Sequence, residues 1–508
     1  MSTPVLLRQV LELWRQVLPA AVLQPDTHFF LAGGDSLQLA RLLLRVQEQL
    51  GIRLRLEDIS SFSTPRKMAQ LCASNTSAAE GMAALSLPPL PAAGFVANSS
   101  QQGIWWSEQQ AGNNGLYNSA IAVSLSGELQ VTALAAAIKS LLQQFPLLAA
   151  GLAVDVTSRK LMVRASACPP ELGKIHELSP QLLTSHVADW AAMAFELQRE
   201  VFRCRLLRHG EQHHTLLLCV HHCVADGWSG GVLLQQLAHN YRELCRDPHW
   251  QPQQVDNAFA YHCQQQQRWL ASADCQQHLL WWEQYLRDAD AVSRQLPWKP
   301  AAMHWPYVLQ RQTWPLPEAL LQQLPSACMH RGCTPFSLLA TAVAVALQRV
   351  GSSDRPLIGF PYAGRQNLQY EQSIGCYMQL LPLWLEASEE TPWPTLLQRN
   401  HAAVQEVLLH AVPLPKLVQQ LRPALLEDGN AWFDVVLALQ NFPLAKGDWS
   451  PLTAGCQSVP PTHGQYALKL EFAAGQVCVE YASAVVDPAV LQHLLLTMQQ
   501  VLTVLVTC

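Results

Sequence analysis

Two short stretches of this chain combine residue types that could do chemistry. The first is His221-His222-Cys223-Val224-Ala225-Asp226-Gly227-Trp228-Ser229. An imidazole with a near-neutral pKa can take a proton from an amine or hydroxyl nucleophile. Asp226 would fix an imidazole or the loop by charge, and Gly227 lets the main chain approach a reacting carbonyl closely. Side chains of adjacent histidines diverge, and neither H-E-x-x-H nor a cysteine partner is present, so no metal site is expected. No G-x-S-x-G elbow accompanies the pair, which argues against a hydrolase triad. The second stretch is Phe30-Leu31-Ala32-Gly33-Gly34-Asp35-Ser36-Leu37. Its glycines permit a tight turn, Asp35 can fold back on the backbone, and Ser36 falls at the mouth of a helix. A hydroxyl there is exposed, and the helix N-terminus favours a phosphate beside it, although an ordinary N-cap serine has the same appearance.

The elements that must position these stretches can be read from hydrophobic pattern. Residues 215–220 are apolar on both faces and predict a central strand, with a helix over 232–244. The histidine loop then sits at a strand's carboxyl end and opens into a helix, a common place for a site in α/β folds. A second strand is predicted over 121–125 and further helices over 131–144, 266–286 and 335–350. Strands interleaved with long helices argue for a layered α/β unit. Ahead of it, Thr3-Pro4 and Thr64-Pro65 supply cap-plus-proline helix starts, and a helix from about residue 37 stops at Gly51. These helices predict a small all-α bundle. Residues 76–94, rich in small residues and proline, read as a linker. The expected organisation is 1–75, 76–94 and 95–508, the last in two lobes meeting near 265/266 with the binding site between them.

Composition narrows the function. Of 508 residues, 49% are apolar and only 14% charged, which predicts large buried cores rather than disorder. Lys+Arg number 33 against 38 Asp+Glu, so the formal charge is 33 − 38 = −5 and no basic block offers a nucleic-acid footprint. The 14 cysteines contain no CxxC pair, consistent with reduced thiols in a cytoplasm. The apolar run 336–347 is short of the ~20 residues that span a bilayer, and residues 1–22 read as an amphipathic helix. No membrane or nucleic-acid partner is expected.

Both stretches carry family resemblances. The Gly-Gly-Asp-Ser-Leu turn in a free-standing helical unit, with Asp26-Thr27-His28-Phe29-Phe30 before it, resembles the acyl/peptidyl carrier family. That resemblance implies a 4′-phosphopantetheine arm on Ser36, attached by a phosphopantetheinyl transferase. From about residue 95 onward the chain resembles the condensation domain of nonribosomal peptide synthetases, a chloramphenicol acetyltransferase-like two-lobed fold. The matching segments include Ser99-Ser100-Gln101-Gln102-Gly103-Ile104-Trp105-Trp106 with Tyr117-Asn118, and Phe195-Glu196-Leu197 with Phe202-Arg203. Further matches are Ile358-Gly359-Phe360-Pro361-Tyr362-Ala363-Gly364-Arg365, Ile374-Gly375-Cys376-Tyr377 and Phe433-Asp434 through Asn441. This resemblance implies that His222 faces the reaction centre as base or as the group that positions the amine. It implies a structural role for Asp226, and a Gly227 N–H within reach of the substrate carbonyl. His221, Trp228 and Ser229 would support the loop, and Asp226-Gly227-Trp228-Ser229 is the condensing rather than the epimerising form.

Two departures stand out. In relatives an arginine from the stretch here occupied by Gln143–Ala150 pairs with the motif aspartate; no basic residue is present, so Asp226 is expected to have a substitute partner or a raised pKa. Gln379 also stands where the family usually has an Asn near the tunnel, which bears on substrate fit. With no adenylation segment or thioesterase elbow in the chain, loading by a separate adenylation enzyme in trans is expected. The acceptor would be an external carrier or a small amine, giving an amide. Ester formation, release onto a soluble amine or alcohol, and a catalytically degenerate carrier-docking scaffold remain as alternatives.

Overall fold

The computed structural model describes all residues except 1–2, 19–22, 28, 30–31, 33–35, 53, 55–63, 75–93, 113, 290–304, 352, 366–367, 389, 424–431, 441–446, 474 and 508. The turn Gly33-Gly34-Asp35 and nearly all of the linker therefore lie outside the described residues.

The N-terminal unit consists, among the described residues, of α1 (Thr3–Val17), α2 (Ser36–Leu50) and α3 (Pro65–Ser74). Apolar residues recur along α1 every three to four positions, so Leu6, Val10, Leu13, Trp14 and Val17 share one buried face. They pack on Leu42 and Val46 of α2 and on Met68, Ala69 and Cys72 of α3. Trp14 fixes the register: its ring meets Phe29 edge-on at 5.0 Å and its indole N–H points at the Met68 sulfur, 3.3 Å away. The helices begin and end within a residue or two of where caps and glycines place them.

Among the described residues the large unit is built on three sheets. The one that matters for the histidine loop has five strands in the order Thr453–Val459, Asn118–Ser126, His213–His221, Phe202–Gly210, His176–Glu177. His213–His221 is central, with seven of its residues between Thr215 and His221 buried, as the unbroken apolar run requires. A seven-stranded sheet carries Gln379–Trp384, Leu357–Tyr362, Val435–Leu439, Leu468–Ala473, Gln476–Ala482, Tyr307–Pro315 and His463–Gly464. Two large apolar cores follow: one gathers Phe95 through Cys263 together with Tyr370, Ile374, Cys376, Tyr377, Trp449, Leu452 and Val459, and the other is drawn from the remaining apolar residues between Cys275 and Leu505.

Three expectations need correction. The predicted helix 266–286 is two helices, Ala258–Leu270 and Ala273–Tyr285, because Ser272 turns out of the first and caps the second by accepting from the Cys275 N–H. The helix after the histidine loop starts at Gly227 rather than 232, since Asp226 is its N-cap. A cut at 265/266 does not separate the lobes: Thr453–Val459 crosses back to pair antiparallel with Asn118–Ser126 in the first sheet. The C-terminal helix Pro488–Thr507, longer than the 336–347 run, is also long and apolar enough to cross a membrane. In the fold it is a core helix, with Leu494, Leu495, Met498 and Leu502 fully buried against the second sheet's helical layer.

Candidate functional site

A cavity of about 1760 Å³ runs between the two cores. Ordinary small-ligand pockets are about 300–1,000 Å³, so this one has room for more than one substrate arm. Tyr117, His222, Gly227 and Trp228 line it from the first lobe, and Phe360, Met378, Val436 and Lys469 from the second.

Strand alternation decides what each histidine meets. His221 ends the central strand pointing into the core, wholly buried between Phe195 and Tyr117 at ring distances of 5.9 and 6.1 Å. Its Nδ1 lies 2.9 Å from the Cys223 Sγ and accepts from the Cys223 N–H, while Nε2 faces the buried Glu108 carboxylate at 3.8 Å. His222, one step on, points the other way and lines the cavity. Its own N–H donates to the Tyr117 carbonyl at 2.8 Å, which pins the ring-bearing turn to the neighbouring strand. Nδ1 is buried without a well-formed partner, leaving Nε2 as the nitrogen able to meet a substrate.

Burial lowers the His222 pKa from its ordinary value, opposed by the charge of Asp226 and reinforced by His221 and Lys469. His262, packed among Phe259, Tyr370 and Tyr377, is pushed down to about 4, chiefly by burial. Between these lowered values and about 6.5 the unfolded chain binds more protons than the folded one, so stability rises with pH across that window. The urea midpoint of the second unit is therefore expected to be flat above pH 7 and to fall as pH drops from 6.5 towards 5. An unchanged midpoint at pH 5 would contradict it.

Asp226 is held by a substitute arginine. Arg365 Nη2 donates to Asp226 Oδ1 at 2.8 Å, with the two side chains 2% and 4% exposed. The Ser229 N–H and hydroxyl also donate to Oδ1, at 2.9 and 2.8 Å, and the Tyr377 N–H donates to Oδ2 at 3.2 Å. Burial by itself would raise the Asp226 pKa, but Arg365 and the Ser229 bonds outweigh it and the group stays below its ordinary value. Of the two arrangements expected for Asp226, the structure holds the substitute partner. The same contacts tie the loop to residues 373–377, which pack in the same core, because the Asp226 N–H donates to the Gly375 carbonyl and the Gly375 N–H donates to the Ser229 hydroxyl. Gly227 opens its helix and lines the cavity, where the first N–H groups of a helix have no intrahelical acceptor. Trp228 also lines the cavity, and its indole N–H donates to the Glu371 carbonyl at 2.8 Å.

Gln379 is not part of the cavity wall: Met378 and Leu380 line it, and alternation along the strand turns Gln379 to the other side. The departure at that position does not act through a wall contact. Lys469, paired with Glu471 at 2.7 Å, and Gln465, which accepts from the Tyr117 hydroxyl at 2.8 Å, also line the cavity and are not among the site residues expected from the sequence. Alternation within residues 468–473 was the signal for Lys469, a charge on a strand with buried Leu468 and Leu470 on its other face.

A small helical unit followed by a two-lobed fold whose histidine loop lines a cavity is the arrangement that the carrier and condensation-domain resemblances imply. Comparison with known proteins agrees. The condensation-domain profile matches residues 94–505 and the phosphopantetheine attachment-site profile matches residues 8–72. The chain belongs to the condensation-domain family, the acyltransferases that form amide bonds in nonribosomal peptide synthetases, and carries a phosphopantetheine attachment domain before it. The probable nonribosomal peptide synthetase CymA of Salinispora arenicola is 30% identical over 466 residues, 87% of this chain and 6% of that protein. A dimodular nonribosomal peptide synthase of Bacillus subtilis is 29% identical over 460 residues, 86% of this chain and 18% of that one. The chain thus spans less than a fifth of either relative. The fold is shared with the X-domain from teicoplanin biosynthesis (TM-score 0.72, 20% identity, 83% of this chain and 97% of that one). It is also shared with the first condensation domain of the calcium-dependent antibiotic synthetase (TM-score 0.66, 17% identity, 82% and 97%).

Proposed function

We propose that this chain transfers an acyl or aminoacyl group from a thioester carried on Ser36 to an external amine, forming the amide C–N bond as the C–S bond breaks and the carrier thiol leaves with the amine's proton. The observation that supports it most directly is the placement of His222 on the wall of an inter-lobe cavity, beside Gly227 and over a fully satisfied Asp226. Ser36 opens α2, where a phosphate is favoured by the helix N-terminus, and α2 lies against the lobe that carries Trp228 at the cavity wall. Ser36 would hold the phosphopantetheine group, which would supply the acyl carbon activated as a thioester. The chain's own residues do the rest. His222 Nε2, uncharged at neutral pH because its pKa is lowered, accepts or steers the proton of the attacking amine. The free N–H at Gly227 can meet the carbonyl oxygen as it gains charge. Tethering keeps the donor at an effective concentration near millimolar, so its delivery is close to intramolecular.

A separate adenylating enzyme would load the carrier in the cytoplasm, and the acceptor would be another carrier or a small amine. Intact mass after incubation with coenzyme A and a broad-specificity phosphopantetheinyl transferase tests the donor side. A gain of one phosphopantetheine that Ser36→Ala abolishes is the expected result. No gain, or a gain that survives Ser36→Ala, would remove Ser36 as the attachment point.

A further inference from the structure

The attachment unit touches the large unit through a small set of charged and aromatic groups. On α2, Arg41 and Arg45 are one turn apart and face the same way. Arg41 Nε donates to Glu371 Oε1 at 2.8 Å and Arg45 Nη2 to Glu371 Oε2 at 3.3 Å, so one carboxylate takes both cations. Arg45 also donates to Gln16 on α1 at 2.9 Å, which braces it. The Glu371 side chain is only 10% exposed, and its main-chain carbonyl accepts the Trp228 indole N–H. The Arg41 guanidinium lies over the Trp228 ring, 4.2 Å from its centroid, and Arg365 approaches the same ring at 5.5 Å. Trp228 thus lies against both the arginine of the attachment unit and the arginine that holds Asp226.

We infer that Glu371 and Trp228 form the docking surface for the donor carrier, and that the partner this surface fits is a carrier helix presenting two arginines five and nine residues after its modified serine. Arg41 follows Ser36 by about 7.5 Å of helix rise, and its guanidinium rests on Trp228, a residue of the cavity wall that also carries His222. The inference rests on the donor role proposed above for Ser36. It adds a selectivity rule: a carrier lacking this pair of cations, or offering acidic residues there, is a poor donor even when loaded.

A charge swap in the full chain tests it, with transfer from the loaded carrier divided by transfer from a soluble acyl thioester as the readout. Glu371→Arg, and separately Arg41→Glu with Arg45→Glu, are expected to lower that ratio about tenfold or more. Combining all three substitutions is expected to recover most of it, because the opposite charges are again paired. A ratio within about twofold of the parent in both reversals, or no recovery in the combination, would overturn the clasp. Docking is read separately from chemistry by the rotational correlation time of the carrier amides in NMR relaxation. These should tumble with the whole chain in the parent and independently in Glu371→Arg. Joint tumbling without transfer from either donor would leave the clasp standing and overturn the proposed activity; independent tumbling in the parent would overturn the clasp itself.

Discussion

Replacing His222 with Ala is expected to reduce amide formation by ~100- to 10,000-fold while leaving attachment of the phosphopantetheine arm intact. The size follows from what the ring can supply at this position. Nε2 is the nitrogen open to the cavity, and burial keeps the ring uncharged at neutral pH, so it can accept a proton without first losing one. The acid limb of the parent's pH–rate profile should accordingly have its midpoint below the ordinary histidine value of about 6.5. His221→Ala is a different perturbation, because that ring faces Cys223 and Glu108 in the core and its loss leaves a cavity behind the loop. It should lower stability as well as rate. Single-turnover transfer from a preloaded carrier, with intact mass to verify loading, measures the His222 effect. Rates within tenfold of the parent would show that positioning and the Gly227 N–H suffice, and that His222 is not the proton carrier.

Much of this was legible in the residues, and the misses have physical causes. The helix start marked by a cap and a proline at Thr64-Pro65 appears where the chain puts it, since the cap bond and the fixed proline φ are local devices. The central strand was readable because burial on both faces leaves an unbroken apolar run. Ala271-Ser272 escaped notice because neither residue breaks a helical pattern, and the turn is made by one side-chain cap. The early start of the helix at Gly227 was hidden by the chemistry of the motif, since Asp226 serves as cap and as loop anchor at once. Long-range pairings were the least readable. Nothing local links Asp226 to Arg365, 139 positions away, although Arg365 stands in a segment whose resemblance was plain. The return of Thr453–Val459 to the first sheet has the same character, because a strand's pattern says which face is buried and not which sheet receives it.

The second large effect is expected at the Asp226–Arg365 pair. Both side chains are almost entirely out of water, so removing one leaves the other's charge buried and uncompensated, a change that typically costs about 3–5 kcal/mol. Arg365→Leu should therefore destabilise the large unit by about that much in urea. It strips the Asp226 Oδ1 and the Ser229 hydroxyl of a donor at 2.8 and 2.9 Å, and it frees the carbonyls of Tyr370 and Ser373 that the same guanidinium serves. Transfer should fall as well, because these groups hold the residues 226–229 turn against residues 373–377, which pack in the same core. The cost belongs to the unpaired charge more than to the pair, and a double-mutant cycle separates the two. Asp226→Asn with Arg365→Leu should be less destabilising than the sum of the single changes, by on the order of 1–3 kcal/mol. Additivity to within about 0.5 kcal/mol would mean that the two groups are stabilised independently and that the loop is held by the Ser229 and Tyr377 bonds alone. Coupling without recovered transfer would show instead that the ion pair's contribution is to place His222 and Gly227 on the cavity wall, where a stable but misaligned loop is as inactive as an unfolded one.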